Sequence, residues 1–453
     1  MKKNYINHLQ FLFIFIIISF LVPNSVNSQW YALGLGTNSD VRTMTVYNGE
    51  LIVAGDFTSV SGIGANRIAK WNGSSWQPLG LGTNGRISAL IAFNGELIVA
   101  GDFTQVGGVS ASRITKWNGS NWLLFGSNSN VNDDIFAMAV YNNELYITGR
   151  FTSIGGSGVN RIARWSGSSW QPLGLGMNEE GRCLAVYSNE LVVGGEFTTA
   201  GGIGANRIAK WNGSSWSNLG LGVNSDVYAM TLMNNELIVG GSFTQVGGVG
   251  VNRIAKWNGS WSNLGTGMNN TVYSVASYNG SLIAGGEFTS AGGIGANRVS
   301  SWNGSSWSNL SSGMTGGDPI QVLAIAVYGS LPFAGGNFNN AGGTTVNNIA
   351  RWGSTTGIQQ LNNNAPSSYK LYQNYPNPFN PSTKIKFDVV KSGTVRLRVF
   401  DALGKEMSLL VDEVLGNGSY EYNFDASNLS AGVYYYELVT SDYRETKKMV
   451  LVK

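Results

Sequence analysis

The amino-acid sequence contains almost no histidine and almost no cysteine. One residue of each type, His8 and Cys183, occurs in 453 residues. A single cysteine cannot form an intramolecular disulfide, so we expect burial alone to stabilise the fold. His8 lies in a segment that we expect to be removed. The mature chain then has no histidine for a Ser–His or Cys–His nucleophile or for a metal site, which excludes those classes of chemistry.

Charged residues are also scarce. They make up 12% of the chain, and the formal net charge is +3. No block of basic residues occurs, so we expect no nucleic-acid partner. The sequence has instead 62 glycines and a hydrophobic content of 43%. This composition is typical of a β-rich, turn-rich extracellular fold and not of a helical one.

Long hydrophobic runs are absent apart from one near the N-terminus. A positively charged start precedes an apolar run over residues 11–22, and Ser28 is a small residue at the expected cleavage point. We interpret residues 1–28 as a signal peptide. The alternative is a membrane anchor, but the run has about 12 residues and a bilayer span needs ~20. We therefore predict an exported chain with no transmembrane segment in its mature form.

The sequence repeats itself seven times. The segment GELIVAGDFT occurs identically at Gly49 and Gly95 and returns five more times with changes. A period of 45 to 50 residues is typical of a β-propeller, in which each repeat forms one blade. The phenylalanine that marks each copy, here called the marker phenylalanine, is Phe57, Phe103, Phe151, Phe197, Phe243, Phe288 or Phe338.

Each repeat predicts four short strands, which we name a to d. In the first copy they are VRTMTVY, ELIVAGDF, RIAKW and WQPLG. Asn-Gly or Asn-Asn between strands a and b is a hairpin signal, and a Gly-rich loop joins strands b and c. Strand b is apolar on both faces, as expected for a strand inside a blade.

The 14 tryptophans divide into two sets of seven, which we expect to pack inside and between the blades. One set ends strand c: Trp71, Trp117, Trp165, Trp211, Trp257, Trp302 and Trp352. The other begins strand d: Trp30, Trp76, Trp122, Trp170, Trp216, Trp261 and Trp307. The first d strand precedes every repeat, and the last repeat has no d strand of its own. The first strand can therefore complete the last blade, which predicts a closed seven-bladed β-propeller over residues 29–352.

The repeats also resemble a known family. An apolar run followed by Gly-Gly and then tryptophan, as in residues 193–195 with Trp211 and Trp216, resembles the kelch repeat and its galactose-oxidase-like relatives. The NRIAKW core resembles bacterial repeats described as delta-type propellers. The resemblance implies the propeller fold. The oxidase relatives hold copper through tyrosine and histidine, and because the mature chain lacks histidine we predict no copper and no other cofactor.

The repeat pattern stops after Trp352. Residues 353–368 are polar and predict a linker, and residues 369–453 predict a small immunoglobulin-like β-sandwich of about seven short strands. A proline-rich motif opens this segment: Tyr375, Pro376, Asn377, Pro378, Phe379, Asn380 and Pro381.

This segment resembles the C-terminal sorting domain of type IX secretion substrates of the Bacteroidetes, through the proline-rich motif and the downstream FDALGKE and LSAGVYYYEL. The resemblance implies export by the type IX secretion machinery to the cell surface or the extracellular space. It also implies removal of this domain, with release or attachment to surface lipopolysaccharide. The alternative is an ordinary adhesive sandwich domain.

The loops between strands d and a vary between repeats, and they carry the candidate binding residues. If strand a is innermost, these loops surround one mouth of the central channel. Carboxylates there can bind sugar hydroxyls or a calcium ion, or they can be solvated. Because no loop has the dense Asp-x-Asp-x-Asp spacing of a calcium site, we predict no metal. The residues are Asp40, Arg86, Asp133, Asp134, Glu179, Glu180, Arg182, Asp226 and Asp318.

A second varying position precedes the marker phenylalanine: Asp56, Asp102, Arg150, Glu196, Ser242, Glu287 and Asn337. Eleven residues later a basic position recurs: Arg67, Arg113, Arg161, Arg207, Arg253, Arg298 and, as the exception, Asn348. We predict that these two positions form cross-strand pairs between strands b and c.

The absence of a histidine system and the equal length of the blades favour a non-catalytic protein. We predict a secreted or surface-displayed propeller that binds a glycan or a protein, or that serves as a scaffold. The rival hypothesis is an extracellular lyase or glycosidase that uses two carboxylates at the channel mouth as acid and base. No loop is enlarged to build a substrate cleft, which is against the rival hypothesis.

Overall fold

The computed structural model describes residues 28–452, except residues 74, 127–128, 330, 355–357, 363–365, 392 and 428. The predicted signal peptide therefore lies outside the described residues apart from Ser28. Within the described range all helix and strand assignments are strands, which confirms the all-β fold class. No helix in that range is long and apolar enough to cross a membrane.

Seven four-stranded sheets form between Ser28 and Ser354, each in the order a, b, c, d. The a strands are Val41–Tyr47, Arg86–Phe93, Ile135–Tyr141, Gly181–Tyr187, Val227–Met233, Val272–Tyr278 and Gln321–Tyr328. The b strands are Glu50–Gly55, Glu96–Asp102, Glu144–Gly149, Glu190–Gly195, Glu236–Gly241, Ser281–Gly286 and Leu331–Asn337. The c strands are Ile68–Trp71, Ile114–Trp117, Ile162–Trp165, Ile208–Trp211, Ile254–Trp257, Val299–Trp302 and Ile349–Ser354. The d strands are Trp76–Pro78, Trp122–Leu124, Trp170–Pro172, Trp216–Asn218, Trp261–Asn263, Trp307–Asn309 and, for blade 7, Ser28–Ala32.

The sheets are blades arranged in a closed ring. Each a strand contacts the a strand of the next blade, and strand a of blade 7 contacts strand a of blade 1. The a strands are therefore innermost. Ser28–Ala32 runs antiparallel to Ile349–Ser354, with Trp30 opposite Trp352. The first strand that the structure describes, Ser28–Ala32, thus completes the last blade.

The Gly-rich loop between strands b and c contains a small hairpin that the sequence analysis treated as loop. The paired segments are Ser59–Val60 with Ile63–Gly64, Gln105–Val106 with Val109–Ser110, Ser153–Ile154 with Ser157–Gly158, Thr199–Ala200 with Ile203–Gly204, Gln245–Val246 with Val249–Gly250, Ser290–Ala291 with Ile294–Gly295, and Asn340–Ala341 with Thr344–Thr345. Met314–Thr315 adds a third strand in blade 7. Elsewhere one residue of the preceding d–a loop bridges to the hairpin, as Thr37 does to Val60. The two loops on this face therefore support each other.

The hydrophobic core lies between adjacent blades. Each marker phenylalanine is at most 1% exposed. Phe57, for example, packs in one cluster with Trp76 of its own blade and Phe333 of blade 7. Burying a side chain of this size contributes roughly 1.5–3 kcal/mol. Because Cys183 is a free, buried thiol, this interblade packing holds the ring without a disulfide.

The tryptophan that begins each d strand also bonds to the preceding blade. Trp76 Nε1 donates a hydrogen bond to the Leu33 carbonyl at 2.9 Å, and Trp30 Nε1 donates to the Leu310 carbonyl at 3.0 Å. Four more d-strand tryptophans donate to the equivalent leucine, and Trp170 donates to a serine hydroxyl. The c-strand tryptophan packs on each of them, with ring centroids 5.1–5.4 Å apart.

The C-terminal segment forms two four-stranded sheets that enclose a core containing Phe387, Leu397 and Tyr436. One sheet contains Ile358–Asn362, Gly418–Asp425, Ser382–Val389 and Lys370–Leu371; the other contains Glu406–Leu415, Gly393–Asp401, Gly432–Val439 and Arg444–Leu451.

Residues 353–368 are not wholly a linker, which corrects the sequence prediction. Ile358–Asn362 pairs with Gly418–Asp425 as an edge strand. An open sheet edge offers unpaired backbone groups, so even a short polar segment such as IQQLN can add to it.

Blade 4 contains one tryptophan that makes the hydrogen bond to the preceding blade and one whose indole N–H has no partner. Substituting each in turn therefore tests the hydrogen bond with an internal control. Trp216 Nε1 donates to the Leu173 carbonyl at 2.8 Å, whereas Trp211 Nε1 is buried without a hydrogen-bond partner. Trp216→Phe should lower the free energy of unfolding by about 1–2 kcal/mol more than Trp211→Phe, because Trp216→Phe removes a hydrogen bond whereas Trp211→Phe removes a buried donor that has no partner. The Leu173 carbonyl keeps its second hydrogen bond, from the Gly176 amide at 3.0 Å, so only one bond is lost. Urea unfolding of both variants measures the difference. Equal losses would contradict the proposed role of the hydrogen bond.

Candidate functional site

Two positions of each blade meet where strand a begins. The amide of the second donates to the carbonyl of the first at 2.8–3.0 Å in five blades, and the two are paired in the sheet in blades 2 and 7. The first, here called the entry position, is Asp40, Arg86, Asp134, Glu180, Asp226, Thr271 or Gln321. The second, here called the marker position, is Asp56, Asp102, Arg150, Glu196, Ser242, Glu287 or Asn337.

A third position is created by a β-bulge in every a strand. In blade 1, Val41 pairs with Gly55 and Thr43 pairs with Ala54, which leaves Arg42 unpaired. β-bulges redirect side chains, and these bring half-buried side chains beside the entry and marker positions. The seven bulge residues are Arg42, Ser88, Phe136, Arg182, Tyr228, Tyr273 and Leu323.

The glycine that ends the regular part of strand b is required by this bulge. A Cβ atom at Gly55 would lie 2.1 Å from the Asp40 carbonyl oxygen, and one at Gly195 would lie 2.1 Å from that of Glu180. No side chain fits at this distance. The repeated glycine is therefore explained by the close approach of strand b to the entry position.

In blade 1 a single arginine holds two carboxylates. Arg42 Nε lies 2.5 Å from Asp56 Oδ2, and Arg42 Nη2 lies 3.3 Å from Asp40 Oδ2. Burial raises the pKa of Asp40; the charge of Arg42 lowers it and that of Asp56 raises it.

Blades 3 and 4 form a larger ion-pair network. Glu180 lies 2.5 Å from Arg150 Nε and 2.7 Å from Arg182 Nη2. Arg182 also lies 2.6 Å from Glu196. The guanidinium carbon of Arg182 lies 4.3 Å from the ring centroid of Phe136, which is a cation–π contact between neighbouring blades.

Asp134 is the most buried carboxylate of the mouth, at 7% exposure. Its nearest cations are Arg86 and Arg113, each 3.8 Å from a carboxylate oxygen. Burial raises the pKa of Asp134 above its ordinary value of 3.8, and the charges of Asp102 and Asp133 raise it further against the two arginines.

Blades 5 and 6 have a different character, because tyrosines replace the arginines. The rings of Tyr228 and Tyr273 lie 5.3 Å apart. Tyr228 donates to Asp226 Oδ2 at 3.2 Å, and Gln321 donates to Glu287. Burial, together with the charge of Glu287 and a hydrogen bond to it, raises the pKa of Tyr273 to about 12. No ion pair within the described part of the chain involves Asp226 or Glu287.

The structure brings six of the predicted candidates to these positions and leaves three outside them. Asp40, Arg86, Asp134, Glu180 and Asp226 are entry residues, and Arg182 is a bulge residue. Of the other three, Asp133 accepts a hydrogen bond from the Asp134 amide at 2.8 Å, Glu179 is exposed and 3.9 Å from Arg161, and Asp318 is exposed.

The sequence analysis missed most of the bulge residues, including Arg42, Phe136, Tyr228 and Tyr273. They lie inside strand a, which a simple alternation treats as packing surface. The available signal was their variety: between the entry position and the rest of strand a, this one site changes from arginine to serine, phenylalanine, tyrosine or leucine.

The predicted pairs between the marker position and the arginine eleven residues later do not form. Arg67 has a left-handed backbone, with φ of 68°, and the marker acid Asp56 pairs with Arg42 instead. In several repeats the side chain at the later position contacts the adjoining blade. Arg113, for example, donates a hydrogen bond to the Val131 carbonyl at 3.0 Å. The left-handed backbone explains why the side chain leaves the cross-strand direction.

Cross-strand ion pairs between strands b and c occur at the opposite face. They join Glu50 to Lys70, Glu96 to Lys116, Glu144 to Arg164, Glu190 to Lys210 and Glu236 to Lys256 at 2.6–2.9 Å. Five of the seven blades carry the same pair, so this face is more uniform than the mouth. Within the described residues no group of three histidine, cysteine or acidic side chains could hold a metal ion.

The proline-rich motif of the C-terminal sandwich is fastened to the last strand. Phe379 is 1% exposed and donates from its amide to the Val450 carbonyl at 2.9 Å. Asn377 Oδ1 accepts from the Val450 amide at 2.9 Å. Tyr375 is 80% exposed, and Pro376, Pro378 and Asn380 are exposed as well. The motif therefore presents a polar and aromatic surface beside the C-terminal strand.

Two families match parts of the chain. Residues 373–453 match the family described as a secretion system C-terminal sorting domain. Residues 48–73, 94–118 and 234–262 match the family described as domain of unknown function (DUF5122) beta-propeller. The comparison with curated proteins gives no match.

Among solved structures, the chain is similar to one titled as a novel fungal alcohol oxidase with catalytic diversity among the AA5 family, in complex with copper. The identity is 11%, the TM-score is 0.44, and the match covers 94% of this chain and 100% of that chain. A TM-score this low carries no inference about fold or activity.

The family matches and the sheets together define an all-β protein with β-propeller blades and a C-terminal sorting domain. The sorting domain implies handling by the type IX secretion machinery. The chain is exported through type IX secretion to the cell surface or the extracellular space.

The close approach of strand b can be tested with two glycines of blade 1. Gly55→Ala should lower the free energy of unfolding by about 1–3 kcal/mol, because the new Cβ meets the Asp40 carbonyl. Gly64→Ala is the control, since a Cβ there meets nothing within 4 Å. Urea unfolding compares the two variants, and a small loss for Gly55→Ala would contradict the bulge argument.

The raised pKa of Asp134 predicts a pH-dependent stability difference. A carboxyl group whose pKa is raised by folding binds its proton more readily in the folded state, so it costs stability when ionised and the cost disappears as the pH falls. Asn has no proton to bind. The stability lost in Asp134→Asn should therefore grow as the pH is lowered from 7 toward 4, measured by urea unfolding. The exposed Asp318→Asn is the control, and a loss for Asp134→Asn that shrinks on acidification would contradict the assignment.

Proposed function

We propose that this chain is a non-catalytic, exported, kelch-like seven-bladed propeller that binds a glycan or a protein at the channel mouth formed by the entry, marker and bulge positions. In this proposal the protein is released or held at surface lipopolysaccharide after export. The propeller is the ligand-binding part, and the sorting domain delivers it.

The variety of the bulge residues supports binding. The positions that pack the blades repeat almost unchanged, because every interface between blades has the same shape. The bulge residue at the mouth changes its chemistry from blade to blade: it is arginine in blades 1 and 4, serine in blade 2, phenylalanine in blade 3, tyrosine in blades 5 and 6 and leucine in blade 7. A ligand without sevenfold symmetry needs such a set of distinct, half-buried polar and aromatic groups.

The ion pairs favour binding over catalysis. Acid–base catalysis by two carboxyl groups needs one that holds a proton and one that stays ionised, both free to reach the substrate. Asp40 and Asp134 have raised pKa values, but each has an arginine within 4 Å. Arginines that occupy these carboxylates supply charge compensation, which suits a fixed recognition surface better than proton transfer.

The experiment is a binding screen of the mature chain on glycan arrays and on extracellular proteins, with variants at each end of strand a. Tyr228→Ala removes a half-buried tyrosine at the mouth, and Tyr187→Ala removes a half-buried tyrosine at the opposite end. We expect Tyr228→Ala to weaken binding at least tenfold, or ~1.4 kcal/mol, and Tyr187→Ala to leave it unchanged.

Two results would overturn the proposal. Binding that is insensitive to Tyr228→Ala would place the ligand elsewhere. Turnover of a polysaccharide that is abolished by Asp134→Asn would assign the protein to the lyase or glycosidase class.

A further inference from the structure

The mouth contains one complete internal binding site for a cation. The Arg182 guanidinium lies 4.3 Å from the Phe136 ring, 2.7 Å from Glu180 and 2.6 Å from Glu196. Phe136 is the bulge residue of blade 3, and Arg182 is the bulge residue of blade 4. The arrangement therefore consists of an aromatic bulge residue, a cation on it and carboxylates from the entry and marker positions.

Blades 5 and 6 carry a related set of groups, in which a second tyrosine takes the place of the arginine and the two carboxylates come from different blades. Tyr228 and Tyr273 are the bulge residues, with rings 5.3 Å apart and tilted by 59°. Asp226 occupies the entry position of blade 5, and Glu287 occupies the marker position of blade 6. Both carboxylates are half-buried, and no ion pair in the described residues neutralises either one.

Neutral hydrogen bonds do not replace the missing charge. Asp226 accepts from the Tyr228 hydroxyl, and Glu287 accepts from the Gln321 amide. A carboxylate has about four acceptor sites, so further donors can still bind. Neutral donors supply no positive charge, so a carboxylate bonded only to them, beside two electron-rich aromatic faces, can still pair with an added cation.

We propose that Tyr228, Tyr273, Asp226 and Glu287 bind a guanidinium group carried by the ligand of the channel mouth. The planar guanidinium is the chemistry that Arg182 already places on Phe136 in the neighbouring blades. This assignment rests on the proposed binding function and narrows it to ligands with an arginine side chain or another guanidinium compound.

The first experiment measures binding of two small probes to the mature chain by ligand-observed NMR. N-acetyl-L-argininamide carries the guanidinium, and N-acetyl-L-citrullinamide has nearly the same shape without the charge. We expect the arginine probe to bind saturably and the citrulline probe to bind at least tenfold more weakly. Equal binding of the two probes would overturn the proposal.

The second experiment fills the site from within. In Tyr273→Arg, the new guanidinium should lie on Tyr228 as Arg182 lies on Phe136, so binding of the arginine probe should be lost. The near-isosteric double variant Asp226→Asn with Glu287→Gln removes both negative charges and keeps both tyrosines. It should bind the arginine probe at least tenfold more weakly. If Tyr273→Arg fails to fold, this second variant still decides. Unchanged binding in a folded variant of either kind would overturn the proposal.

The matched control is Glu190→Gln with Glu236→Gln. These carboxylates pair with Lys210 and Lys256 on the opposite face, so the same change in charge is made far from the mouth. We expect the arginine probe to bind this variant normally. Loss of binding in this control would show that net charge alone attracts the probe, which overturns the proposal.

Comparison with the binding screen separates the two hypotheses. A ligand whose binding is lost in Tyr228→Ala, in a protein that ignores the arginine probe, would refute the guanidinium site and leave the proposed function standing. A peptide with a central arginine that binds more tightly than the free probe would assign the guanidinium to a polypeptide. Equal affinity would assign it to a small compound.

Discussion

The hydrogen bond from each d-strand tryptophan to the preceding blade is the contact on which the ring depends. Trp76 joins blade 1 to blade 7 through Leu33, and Trp30 joins blade 7 to blade 6 through Leu310. The chain has one free cysteine, so no covalent link replaces these contacts. Each indole also packs on the c-strand tryptophan of its blade, and the same residue therefore fixes the blade internally and sets its distance to the next.

The recognition surface follows from the way in which strand b packs against strand a. Glycine at the end of strand b allows the backbones to approach, and the a strand forms a bulge opposite this approach. The bulged residue leaves the hydrogen-bonded ladder and lies outside the hydrophobic clusters that pack between the blades. Seven such residues can therefore differ, as Arg42, Arg182 and Tyr228 do, without weakening the ring. The blades therefore keep a regular packing while the channel mouth varies, and the bulge residue of each a strand is left unpaired in the sheet.

Sequence reasoning reached the strands, five of the seven entry residues and the closing role of Trp30, because the tryptophan spacing and the phase of the repeat can be read directly from the sequence. It missed the bulges, since an unpaired residue inside an apparent strand has no local signature. It placed the basic partners of Asp56 and Glu196 wrongly on strand c, because the left-handed backbone at Arg67 cannot be recognised from the residue type. It treated residues 358–362 as linker, although they pair with the strand Gly418–Asp425, which lies about 60 residues later in the sequence.

The closing strand has a consequence for the order in which the molecule can assemble. Trp30 bonds to a residue 280 positions away, and Asn347 bonds to the Leu35 carbonyl 312 positions away. Contacts this distant in sequence form late, because the entropy of closing so large a loop is spent before any packing is gained. Until blade 7 is present, six blades form an open arc that leaves one sheet face uncovered at each end. The pairing of Ser28–Ala32 with Ile349–Ser354 can therefore form only when the whole propeller is present.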